Sequence, residues 1–64
     1  MHGRVTQFDV EVGLGEVMDD GGEVFSFHCV SIADGSRNIA VGTTVEFELL
    51  PKLGRYEAAR ITPE

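Results

Sequence analysis

Few residues of this chain are of the types that do chemistry, and their spacing narrows that chemistry quickly. His28 and Cys29 stand side by side, and His2 is the one further histidine. A metal site needs several converging ligands, and no C-x-x-C or H-x-x-x-H spacing occurs. No metal and no cofactor is therefore expected, and Cys29 reads as a small, semi-buried hydrophobe. Gly13-Leu14-Gly15 is not a phosphate loop, because the G-x-x-x-x-G-K-[ST] pattern is absent. Its glycines read as permits for tight backbone turns. The carboxylates form no catalytic pair and no Ser–His–Asp order is recoverable, so no enzyme is expected. What remains is surface chemistry. Phe8 can stack on a flat ligand, and His28 can stack or donate to a phosphate. Arg4, Arg37 and Arg55 can neutralise phosphates if they ring one face. Otherwise they pair with Glu46, Glu48 and Glu57 and serve solubility.

The elements that position these residues must come from 64 residues, which is one small domain spanning 1–64. A chain of this length buries only about 60% of its unfolded surface. One cysteine gives no disulfide and argues for a reducing compartment. No apolar run is long enough to span a membrane, and "MHGRVTQFDV" has no apolar signal core. The expected location is cytoplasmic. Eleven Asp+Glu against five Lys+Arg give a net charge of −6. That balance keeps a small domain soluble and works against polyanions, which basic patches normally recruit.

No helical periodicity is visible. Glycines punctuate runs in which valine and phenylalanine alternate with polar residues, the mark of short strands and turns. Strands are expected at 3–10, 15–20, 23–29, 43–50 and 55–62. The second and third make a hairpin across residues 19–22. In the fourth, Val45, Phe47 and Leu49 point inward and Glu46 and Glu48 outward. In the fifth, Ala59 and Ile61 are the expected inward residues. Residues 30–42 are a long connection pinned by Ile32 and Ile39. Ser31 is expected to cap one helical turn there, closed by Asp34-Gly35, and 51–54 is expected to be a loop. A bare sheet this small would expose its edges, and closure removes them. The expected fold is all-β, a five-stranded antiparallel Greek-key barrel, with OB-type and SH3-type barrels both open on pattern alone.

The order of the short motifs separates the two. "GRVTQFD", "GLGEV", "FSFHC", a later "DG", "VGTTVEFEL" and "EAARI" follow one another in a way that resembles the bacterial cold-shock domain family. The likeness runs from about Gly3 to Ile61. It implies an OB-type barrel that binds single-stranded RNA or DNA through two motifs on adjacent strands. Gly13-Leu14-Gly15-Glu16-Val17 falls on the first motif and Ser26-Phe27-His28-Cys29 on the second. The departures are specific. Gln7 stands at the family's first-strand tryptophan, beside a retained Phe8. Leu14 and Glu16 replace the two phenylalanines of the first motif. Ser26 and Cys29 replace aromatics of the second, where His28 is kept. The family's usual lysines fall at Arg4, Thr6 and Val12.

Strand phase sharpens the picture. Phe25 and Phe27 share one face of their strand, and Ser26 and His28 share the other. The resemblance puts His28 outside, so Phe25 and Phe27 are expected in the core and Glu16 beside Ser26 on the outer face. A Glu16–His28 contact would favour charged histidine. The implied nucleic-acid-binding residues are Arg4, Phe8, Leu14, Ser26, His28, Arg37 and Arg55. The expected function is weak binding of single-stranded RNA or DNA with low sequence specificity. The alternative is a protein-interaction barrel that has lost nucleic acid, offering an apolar Phe8–Leu14–Cys29 surface and Glu16 as anchor for a basic protein partner.

Overall fold

The computed structural model describes all 64 residues. Five strands, β1 (His2–Asp9), β2 (Leu14–Asp19), β3 (Val24–His28), β4 (Thr44–Lys52) and β5 (Arg55–Pro63), close into a barrel in the order β1-β2-β3-β5-β4. This is an OB-like small barrel. Closure leaves no long free edge, which answers the exposure problem of so small a sheet. The barrel is mixed rather than wholly antiparallel. β3 meets β5 in parallel at Ser26 and Glu57, and a parallel Ile32–Ile61 bridge extends that seam. The long connection carries the chain from β3 round to β4, so β5 returns to lie beside β3 in the same direction as it.

The core is Val5, Val17, Phe25, Phe27, Ile32, Ile39, Val45, Phe47, Ala58 and Ile61, with Phe8 and Leu49 packed against it. Phe25 and Phe27 point inward, as strand phase requires, and Ile32 and Ile39 pin the connection. Asp19 shapes the β2–β3 turn by accepting from the backbone N–H groups of Gly21 and Glu23, both at 2.9 Å.

Three local expectations change. Pro51 and Lys52 extend β4, pairing with Tyr56 and Arg55, so the β4–β5 turn shrinks to Leu53-Gly54. The helical turn is Cys29–Ser31, with His28 in the capping position and no side-chain cap; Ser31 ends it. In β5 the inward residue is Ala58 at 2% exposure, not Ala59. A bulge is the cause. Glu46 pairs with Thr62 but Glu48 with Ala59, so Arg60 and Ile61 together oppose Phe47. Arg60 takes φ +52° there, and the inward positions become 58 and 61 instead of 59 and 61.

Candidate nucleic-acid interface

The outer face of β1, β2 and β3 is set by their register. Gln7, Glu16 and Ser26 lie opposite one another in a single row across the three strands. Leu14 faces His28 on one side of that row, and Arg4, Met18 and Val24 form the next outward row on the other. Directly opposed side chains in such ladders stand about 4.5–5.5 Å apart at Cβ. The centre of the face is therefore polar, with a carboxylate in the middle.

A bulge in β1 creates this arrangement. Val5 pairs with Val17 and Gln7 with Glu16, leaving Thr6 as the extra residue. Simple alternation from buried Val5 would turn Gln7 inward and Phe8 outward. With the bulge, Gln7 is exposed and Phe8 is half-buried against the core. The ring of Phe8 stacks on that of Phe27, centroids 5.9 Å apart and 12° from parallel.

Gly15 makes that stack possible. It lies between Phe8 and Phe27 in the register. A Cβ at this position would come within 2.6 Å of the Phe27 ring and 2.8 Å of the Gln7 carbonyl oxygen. Gly15 thus supplies room for two rings rather than a turn. Gly13 is the turn residue, with φ +78°, and a Cβ there would meet Cys29 Sγ at 2.9 Å. The Cys29 backbone N–H donates to the Gly13 carbonyl oxygen at 2.8 Å, tying the two motifs together. Cys29 is half-buried in this contact, in keeping with its reading as a small hydrophobe.

A groove of about 590 Å³ opens over the face, with Phe8, Val12, Leu14 and Val41 as its apolar part and Gln7, Glu16 and Ser26 along its polar part. His28 stands outside the groove lining, opposite Leu14. It makes no ion pair with Glu16, because the register sets Ser26, not His28, across from that carboxylate.

The cations are dispersed. Arg4 borders a separate hollow with Asp19 and Asp20. Arg55 donates to the Glu57 carboxylate at 2.9 Å; Glu57 is itself only 8% exposed. Arg37 sits in the exposed connection with φ +58°. Of the seven residues expected to bind, Phe8, Leu14 and Ser26 converge on the groove, while Arg4, His28, Arg37 and Arg55 do not line it. Missing from the expected set, among other lining residues, are Gln7, Val12, Glu16 and the connection residue Val41. The motif resemblance carries a signal for Gln7, at the family's first-strand tryptophan position, and for Glu16, on the outer face; only the closed fold brings Val41 to β1.

A second groove, about 890 Å³, runs between the long connection, β4 and β5. Glu46 and Glu48 border it with Arg60, and its remaining lining is mostly small or apolar. No group of three or more His, Cys, Asp or Glu side chains is placed to hold a metal ion. No helix is long and apolar enough to cross a membrane. No protein-family model matches the chain, and no curated protein matches it.

Proposed function

We propose that this barrel is a cold-shock-like module that binds single-stranded RNA or DNA weakly on the outer face of β1–β3, in a reducing, cytoplasmic compartment. The observation that carries the reading is the groove itself. It joins Phe8 of β1, Leu14 of β2 and Ser26 of β3, residues that the motif resemblance assigns to the ligand. Bases stack on apolar and aromatic groups without regard to sequence, and the phosphates remain in solvent. Weakness follows from the polar row, since Gln7, Glu16 and Ser26 stand where stacking rings would give most of the affinity. The function needs no reaction step; holding a strand unpaired is its whole effect.

The test is a titration of labelled oligo-dT and oligo-U at low and high salt. The salt slope counts the phosphates that cations neutralise; with no Lys or Arg lining the groove, affinity should fall only gently as salt rises. Absence of binding at low salt, by these strands and by a guanine-containing one alike, overturns the proposal.

One observation favours the second reading, a site for a basic protein. Val10, Val12 and Val41 are more than 60% exposed near the groove, and Asp9, Glu11 and Glu16 accompany them in sequence or in the lining. Apolar contact with an acidic surround suits a lysine- or arginine-bearing segment. Such a site would take a basic peptide and ignore oligonucleotides in the same titration.

A further inference from the structure

Glu16 occupies the centre of the face and has nothing to bind within the chain. Its carboxylate makes no ion pair; the one interaction of this residue beyond the ladder is its backbone carbonyl accepting from the Thr6 hydroxyl at 3.3 Å. Its two cross-strand neighbours, Gln7 and Ser26, are exposed and make no side-chain hydrogen bond of their own. Three adjacent polar side chains are thus left with open hydrogen-bonding capacity, beside an apolar slot formed by Phe8 and Leu14.

The donor and acceptor pattern of that row is selective. An ionised carboxylate only accepts, a carboxamide supplies an NH₂ donor, and a hydroxyl does either. Bases splayed from a single strand are read on their Watson–Crick edges. Guanine presents N1–H and the N2 amino group side by side, with the O6 acceptor next to them. The two donors match both oxygens of one carboxylate, and O6 matches a Gln7 or Ser26 donor. Thymine and uracil present one N–H between two carbonyl oxygens, which a carboxylate repels. Adenine and cytosine offer one amino group beside a ring-nitrogen acceptor. Only guanine satisfies the carboxylate with two hydrogen bonds.

We propose that Glu16, flanked by Gln7 and Ser26, is a base-reading residue that selects guanine in the bound strand. The assignment rests on the nucleic-acid reading above. It replaces stacking by edge recognition at the centre of the face. The carboxylate repels the backbone of every strand, and only a guanine recovers that loss.

Three strands decide it: oligo-dT, the same strand with one central guanine, and the same strand with hypoxanthine in place of that guanine. Hypoxanthine lacks the 2-amino group and leaves the protein untouched. By fluorescence anisotropy at low salt, the guanine strand should bind about tenfold tighter than oligo-dT, the scale of one bidentate contact. Hypoxanthine should lose most of that gain. Glu16→Gln, verified as folded by circular dichroism, should raise oligo-dT affinity and abolish the guanine preference. Binding of all three strands with equal affinity overturns the guanine assignment and leaves the nucleic-acid reading standing. A guanine preference that survives Glu16→Gln also overturns it. No binding of any strand removes both.

Discussion

Phe8 and Phe27 stack across Gly15, through the gap where that residue has no side chain. The contact joins a residue of the candidate face to the centre of the core. One consequence is that Phe8 has committed a face of its ring to the protein, so any flat ligand would find only the remainder of it open.

Gly15→Ala should therefore act on stability and on the face together. The new methyl would collide with the Phe27 ring and the Gln7 carbonyl. Overpacking of this kind costs about 1–3 kcal/mol. Urea unfolding should show the loss, and near-ultraviolet circular dichroism should show the phenylalanine environment altered. An unchanged midpoint would mean that the rings separate without cost.

Phe27→Ala removes a fully buried ring from a ten-residue core. The expected loss is about 3–5 kcal/mol. That is a large share of the stability of a domain this small, and far-ultraviolet circular dichroism should report partial or complete unfolding. Mild destabilisation with a large loss of oligonucleotide affinity would contradict the inward placement.

Glu16→Phe combined with Ser26→Phe would restore rings at two adjacent outward positions. Stacking contributes about 1–3 kcal/mol per base. Oligo-dT affinity should rise by a factor of about ten or more in the same titration. If it does not rise, the surrounding carboxylates rather than the missing rings limit binding.

Arg55→Ala would leave the Glu57 carboxylate, 11% exposed at its side chain, without its partner. Hydrogen bonds to charged groups contribute about 1.5–3 kcal/mol, and the 67% exposure of the Arg55 side chain places this one at the lower end. Thermal unfolding should register the loss, and Arg55→Lys should recover part of it. Equal stability of wild type and Arg55→Ala would show that water serves Glu57 equally well.

Asp34 gives a pH-dependent test. The backbone N–H of Ser36, at 2.9 Å, and then the Ser36 hydroxyl hold its carboxyl below the ordinary aspartate range. Because the folded value is depressed, its contribution is fully present above about pH 3.9 and is lost as pH falls through the folded value. An NMR titration of the Asp34 carboxyl carbon should give a midpoint below that of an unstructured aspartate. A midpoint at the unstructured value would dissolve the Asp34–Ser36 contact.

Most of the barrel is legible in the residues because strand alternation is a strong signal where strands are regular. Val45 and Phe47 alternate with Glu46 and Glu48 on a single phase, and Phe25 and Phe27 fall inside on the same logic. Two departures from simple alternation fall where a strand carries an extra residue. At Arg60 the bulge moves burial from Ala59 to Ala58. At Thr6 it exposes Gln7 and draws Phe8 toward the core. Neither site has a glycine or proline to mark it, and local composition carries no trace of a register shift that only the partner strand defines. The parallel seam is hidden for a similar reason, since it depends on the direction in which β5 returns to β3. The groove was legible through Leu14 and Ser26, and the Arg55–Glu57 pair is one of the pairings the sequence offers as the alternative to phosphate binding.

A hoop with one clasp opens at the clasp. The barrel's hoop is long-laddered at β1–β2, β2–β3 and β4–β5, shorter at β1–β4, and thinnest at the β3–β5 seam, where a single register pair, Ser26 with Glu57, joins the strands and Ile32–Ile61 backs it up. Breathing of the barrel should therefore begin beside Ser26, and the amides there should exchange with solvent before those of β4. Ser26 also ends the polar row of the face. Whatever lies across that row sits at the lip of the opening, so occupancy of the face and closure of the barrel share one backbone position.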